Sequence, residues 1–275
     1  MRPAVGPEAE QGHSVRLNGM ASKRPRLDRW WTPLLNAAGG RRRLLCVEPN
    51  IDDASLRRLD DLIVEHVGPD IGRSSRLGLL GSISYQFPGL LYSDGGPELV
   101  REIVQTAGSS LAAQGAGSFS TLVIGGSMGD SPQDTFATCC SSGGMAVVHI
   151  LPCCRDAEGD LAKVLFLDKE RSIPRQRANW YVCLVGSGWS ERNVALAYLA
   201  RQYVVAGGGP GTLLEVLMVR SYGSGLLPLV RTGGLAEGVE FRGQGLVGMR
   251  AALQPPAGVD PASWAVMLGG GGHEE

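Results

Sequence analysis

Val204-Val205-Ala206-Gly207-Gly208-Gly209-Pro210-Gly211-Thr212-Leu213-Leu214-Glu215 carries an apolar run into a glycine turn and out again as a helix bearing a carboxylate. The apolar run reads as a buried strand. The glycines let backbone N–H groups face a ligand with no Cβ in the way, and a helix beginning near Thr212 adds unpaired amides and the positive end of its dipole. This is the layout of an anion site, with a phosphate-bearing ligand as its natural guest. A second reading of the same residues stays open. Thr212 and Glu215 stand in the T-x-x-E relation of a capping box, which would satisfy the helix-end amides with no ligand present.

Outward from this turn the pattern repeats. Leu77-Gly78-Leu79-Leu80-Gly81-Ser82 reads as a strand ending in Gly-Ser, and Pro97 to Gln114 as an amphipathic helix. Thr121-Leu122-Val123-Ile124 is another strand, entering the turn Gly125-Gly126-Ser127-Met128-Gly129. Together these form a βαβ crossover. A helix over Pro132 to Ser142 follows, then the strand Met145 to Leu151 stopped by Pro152. Beyond it come a strand over Tyr181 to Val185, a helix over Ser190 to Gln202, a strand over Tyr203 to Ala206, a helix over Thr212 to Tyr222 and a strand over Leu226 to Val230. Strands alternating with helices predict an α/β Rossmann-like fold, a parallel sheet with helices on both faces in a single domain, whose ligands sit beyond the carboxyl ends of the strands. All three glycine turns fall at those ends.

These residues resemble the LOG (Lonely guy) family of the lysine-decarboxylase-like, or SLOG, superfamily. The resemblance rests on four motifs in order between about Arg76 and Val230: the Gly81-Ser82 turn, the Gly125-to-Gly129 turn with the helix and Leu151-Pro152 strand end behind it, Glu191-Arg192, and Gly207 to Glu215. Characterised members are cytokinin-activating nucleoside 5′-monophosphate phosphoribohydrolases. The resemblance therefore implies hydrolysis of the N-glycosidic bond of a purine or cytokinin-type nucleoside 5′-monophosphate to free base and ribose 5-phosphate. It also implies catalytic roles for Glu215 and Arg192, and a nucleotide held by Gly81, Ser82, Gly125, Gly126, Gly129, Gly208, Gly209, Gly211 and Thr212. A homodimer with the site near the subunit interface is implied as well, with no cofactor and no metal. The chain departs from the family pattern in having Gly207 for proline, Leu214 for a second acid, Asn193 for lysine and Asp130-Ser131-Pro132 for a small apolar stretch. Arg192-Asn193 and the triple glycine look more like a sister branch of the superfamily. A non-catalytic nucleotide sensor is accordingly the competing reading.

The chemistry agrees with the implied roles. Cleaving the glycosidic bond places positive charge on the ribose, which calls for a carboxylate near the anomeric carbon, a positioned water and a grip on the phosphate. Taken alone, Arg192 also reads as a solvated residue of a helix's first turn, where a cation sits slightly unfavourably against the dipole and so hints at a nearby anion.

Composition bounds the alternatives. With 275 residues, 43% hydrophobic and 19% charged, the chain buries a substantial core, and one such domain uses most of it. A formal net charge of −1 disfavours a nucleic-acid partner, including the DNA-handling role found elsewhere in the superfamily. Lys23-Arg24-Pro25-Arg26 and Arg41-Arg42-Arg43 lie in residues 1–43, read as a flexible extension that Trp30-Trp31 could pin. Glu8, Glu10 and Asp28 spoil a transit-peptide pattern, and no run is long enough to span a membrane, so the expected location is cytoplasmic. Residues 44–232 form the expected domain, led by an amphipathic helix over Ile51 to Val67 capped by Asn50 or Asp52. Residues 233–275 are a Gly/Pro-rich segment with little expected structure, and Val164 to Leu167 in the long 153–179 stretch reads as an extra strand beside a polar loop. The six cysteines, with Cys139-Cys140 and Cys153-Cys154 adjacent, lack metal-ligand spacing and read as reduced, mostly buried thiols, and His149 reads as a core residue.

Overall fold

The computed structural model describes residue 33 and residues 44–67, 72–81, 85, 96–113, 119–125, 131–159, 161, 179–229 and 231–237. Among the described residues seven strands form one parallel sheet: β1 (Leu44–Glu48), β2 (Arg76–Gly81), β3 (Thr121–Ile124), β4 (Ala146–Leu151), β5 (Trp180–Val185), β6 (Gln202–Ala206) and β7 (Gly225–Leu229). Their spatial order is β1-β5-β4-β3-β2-β6-β7. The helices are α1 (Asp53–Val67), α2 (Gly96–Ala113), α3 (Pro132–Ser142), α4 (Trp189–Leu199) and α5 (Pro210–Ser221). The chain is thus a Rossmann-like α/β protein, and no helix among the described residues is long and apolar enough to cross a membrane.

Both sheet faces are buried, which is why the strands read as unbroken apolar runs rather than as alternating ones. Leu77, Leu79, Leu122, Ile124 and Val204 pack under α2 and α3, against Val100, Ile103, Val104 and Phe136. Their neighbours Leu80, Val123, Val148, Tyr203 and Val205 face the other way, against Leu56, Leu59 and Ile63 of α1, Leu196 and Leu199 of α4, and Val216 and Val219 of α5. Of the two candidate caps for α1, Asp52 serves: Ser55 N donates to Asp52 Oδ1 at 2.7 Å, and Asp52 N donates back to Ser55 Oγ at 2.7 Å. α3 starts where Ser131-Pro132 predicts, with Asp134 N donating to Ser131 Oγ at 3.1 Å.

Two elements differ from expectation. β1 was not foreseen. It is short, flanked by charge, and among the described residues pairs with β5 alone, Cys46 lying opposite Cys183. α4 ends at Leu199 rather than running to Gln202, because side chains from elsewhere take over its last carbonyls. Tyr203 Oη donates to Leu196 O at 2.6 Å and accepts from Ala200 N at 3.2 Å. Arg76 Nη1 donates to Leu199 O at 3.3 Å and Ser224 Oγ to Ala200 O at 3.3 Å, so the chain is free to enter β6 at Gln202. Ordered structure also continues past residue 232, as a 3₁₀ turn over Gly234–Glu237. The extension 1–43 apart from Pro33, the strand expected at Val164 to Leu167 and residues 238–275 lie outside the described residues.

β2, β3, β4 and β5 step away from the centre in one direction, while β6 and β7 lie on the other side of β2. The carboxyl ends of β2 and β6 therefore flank the point where strand order reverses, the place where such sheets open a ligand crevice. Gly78 lies under the Tyr203 ring, where an added Cβ would come within 2.0 Å of ring carbons. Tyr203→Phe should keep that packing but orphan the buried Ala200 N–H and Leu196 carbonyl. The expected cost is about 1–3 kcal/mol, read as a fall in the thermal or urea midpoint with an unchanged denaturant slope.

Candidate functional site

At the carboxyl end of β2 the backbone is tied to two helices that begin on neighbouring strands. The Gly81 carbonyl accepts from Gln133 Nε2 at 2.8 Å and from Thr212 Oγ1 at 3.2 Å. Gly81 lies opposite Ala206 in the β2–β6 register, and a Cβ on Gly81 would stand 2.1 Å from Ala206 O, so only glycine fits this close approach.

The glycine loop after β6 needs its glycines for the same kind of reason. Gly207 and Gly208 have φ of 66° and 112°, a region that side chains disfavour. The loop is braced from behind: Gly207 N donates to Thr232 Oγ1 at 2.7 Å, Leu235 N to Gly208 O at 2.9 Å and Ala236 N to Gly207 O at 3.1 Å. Gly209 is the N-cap of α5, Pro210 the first helical residue, and no side chain caps the helix. The helix thus starts two residues before Thr212, and the capping-box reading of Thr212 and Glu215 is overturned. Thr212 sits inside the first turn with its hydroxyl spent on Gly81 O, and Glu215 points elsewhere. The first-turn amides of Gly211 and Thr212 have no intrahelical acceptor, and they lie at the positive end of the dipole.

Glu215 meets Arg192. Arg192 Nη1 donates to Glu215 Oε1 at 2.7 Å, with the two side chains 6% and 8% exposed. Arg192 belongs to the first turns of α4 and is buried, so the solvated-residue reading is also overturned. The anion that its position hinted at is Glu215. The guanidinium lies 4.8 Å over the Trp189 ring and directly above Gly125, whose missing Cβ would otherwise stand 1.9 Å from Nη1. Burial pushes the Glu215 carboxyl up from its ordinary value, partly offset by the charge and hydrogen bond of Arg192. Glu191, which precedes Arg192 in the chain, is used locally, accepting from Ser187 N at 2.6 Å and Ser187 Oγ at 2.8 Å.

Of the residues that sequence reasoning placed at the site, Gly81, Gly125, Arg192, Gly208, Gly209, Gly211, Thr212 and Glu215 gather around the carboxyl ends of β2, β3 and β6. Ser82, Gly126 and Gly129 lie outside the described residues. Gln133, Trp189 and Thr232 support the site and were not foreseen. Asn193, 6% exposed, keeps a buried Oδ1 with no hydrogen-bond partner among the described residues. The six cysteines are free thiols. Burial raises Cys153 to about 12, which makes it an inert thiol at neutral pH. His149 packs in the core with its ring centroid 5.2 Å from that of Trp180.

No protein-family model matches the chain, and no curated protein matches it. Among solved structures it is similar to the X-ray structure of TM1055, a Northeast Structural Genomics Consortium target. The two share 21% sequence identity over 59% of this chain and 78% of that one, with a TM-score of 0.40. What bears on function is the chemistry of the site.

The Gly125–Arg192 contact can be tested directly. A methyl at position 125 must displace the guanidinium from Glu215, so Gly125→Ala should destabilise the protein by about 1–3 kcal/mol. Combined with Arg192→Ala it should add much less than it does alone, because the clashing group is already gone. Thermal melting of the two single variants and the double variant measures this, and strict additivity would place the clash elsewhere.

Proposed function

We propose that this site hydrolyses the N-glycosidic bond of a purine or cytokinin-type nucleoside 5′-monophosphate. The single observation that carries the reading is the buried Arg192–Glu215 pair set nearly two turns beyond an uncapped helix N-terminus. The α5 amides and the glycine loop would take the 5′-phosphate. Glu215 would then lie where positive charge develops on the ribose, and would accept the proton of the attacking water. The water oxygen bonds to the anomeric carbon, the carbon–nitrogen bond breaks, and the base leaves with its bonding pair and takes up a proton. The products are ribose 5-phosphate and free base. Arg192 holds the carboxylate in one orientation in a site where water cannot. The order of motifs shared with the LOG family supports the same chemistry, and no cofactor is required for it.

One observation favours a second reading, a nucleotide sensor without turnover. The Glu215 charge is already neutralised by Arg192 at 2.7 Å, which weakens it as a base. As for assembly, Leu213, Leu214 and Leu217 of α5 are 42%, 55% and 51% exposed beside Glu215. That face is where the homodimer implied by the family resemblance would close. We place the protein in the cytoplasm because its six cysteines read as reduced thiols.

Incubating the protein with nucleoside monophosphates and assaying ribose 5-phosphate separates the readings. Turnover should require the 5′-phosphate, and equal rates on nucleoside and nucleotide would remove the phosphate site. Glu215→Gln should cut the rate by about 10²-fold or more, while nucleotide binding persists. The pH dependence has a definite sign. A base works ionised, so activity falls as pH drops through the Glu215 value. Because burial raises that value, the acid limb should lie above the ordinary glutamate range of about 4.3. A sensor would bind nucleotide and release no ribose 5-phosphate at any pH.

A further inference from the structure

Gln133 is 1% exposed and sits at the second position of α3, just past the turn that follows β3. Its amide is used on one side only. Nε2 donates to Gly81 O, whereas Oε1 has no hydrogen-bond partner among the described residues. A buried carbonyl without a donor is costly, and native proteins pair nearly all such groups. No described residue supplies the missing donor, which leaves that place to a bound molecule.

The position of Oε1 narrows what that donor is. Gln133 and Thr212 share one acceptor, Gly81 O, so the amide lies beside the first turn of α5 and one turn from Glu215. A phosphate is ionised and offers no donor at neutral pH, so an amide oxygen does not face it. Between a phosphate at the helix amides and an anomeric carbon at Glu215 lies the sugar, and its hydroxyls are donors.

We propose that Gln133 is a specificity-determining residue that accepts a hydrogen bond from a ribose hydroxyl, so that the site selects ribonucleotides over deoxyribonucleotides. The inference rests on the nucleotide reading above and extends it to the sugar. Gln133 also acts as a positioning residue through Gly81, and the test must separate the two effects.

Calorimetric binding of adenosine 5′-monophosphate and of its 2′-deoxy and 3′-deoxy analogues, to the full chain and to Gln133→Met, does so. The parent should bind the ribonucleotide about threefold to tenfold more tightly than one of the two deoxy analogues, the worth of one hydrogen bond. Gln133→Met should erase that preference by weakening the ribonucleotide, and the deoxy analogue that keeps the contacted hydroxyl, more than the analogue that lacks it. Equal affinity of the parent for all three ligands overturns the proposal, and needs no variant to fold. A variant that weakens all three equally also overturns it, because Gln133 then only braces Gly81. Nucleotide binding with the expected hydroxyl preference but no ribose 5-phosphate release would sink the hydrolase and leave the Gln133 assignment standing. Failure to bind any of the three removes both.

Discussion

A guanidinium and a carboxylate can both be buried only if they are buried together, and the site is organised around that constraint. Removing each ion from water costs several kcal/mol, and the mutual attraction in a dry environment repays this only at close, well-oriented contact. Arg192 and Glu215 come from different helices, and their contact ties α4 to α5. It also fixes residue types that make no polar contact. Gly125 must lack a side chain for the guanidinium to pass over it, and Trp189 supplies a π face beneath it. The pair is a poor device for stability alone, since apolar residues of equal volume would do as well or better.

The second constraint is backbone crowding at the reversal of strand order. β2 and β6 run side by side to Gly81 and Ala206, and there the two chains come too close for a methyl group. The Gly81 carbonyl becomes the common anchor for α3, through Gln133, and for α5, through Thr212. One oxygen thus sets the relative position of two helix starts that face the same crevice. Bracing of the glycine loop by Thr232, Leu235 and Ala236 completes the arrangement from the opposite side. A loop held in this way presents preformed amides, so little ordering cost is left for a ligand to meet.

The sheet was largely legible because a two-faced parallel sheet writes itself as apolar runs closed by glycine, and Leu77 to Gly81, Thr121 to Ile124 and Tyr203 to Ala206 each do so. Local signals sufficed where the partners are local, as at Ser131-Pro132 before α3. They failed where a distant partner wins. The T-x-x-E spacing of Thr212 and Glu215 matches a capping box, yet Thr212 bonds a carbonyl 131 residues away and Glu215 an arginine 23 residues away. Gln133 carries no motif at all, because its meaning depends on Gly81, 52 residues back. The end of α4 was misplaced for the same reason, since Arg76 and Ser224, which help to close it, come from other elements. Strand β1 is not legible in the sequence because an edge strand of five residues gives too short a pattern to separate from a linker.

Arginine at position 192 carries one further implication. A guanidinium offers five donors in a fixed plane, and the bond to Glu215 uses Nη1. Nε is buried with no hydrogen-bond partner among the described residues, so the side chain has capacity beyond its pairing with the carboxylate. A lysine in its place would present a compact point charge with no second edge held in a fixed plane. In the proposed reaction that second edge lets one residue keep the carboxylate ionised while meeting an oxygen of the substrate, without giving up the first contact. The two roles draw on different atoms of one rigid group. Neutralisation of the carboxylate and recognition of a ligand therefore need not compete for the same atom of Arg192.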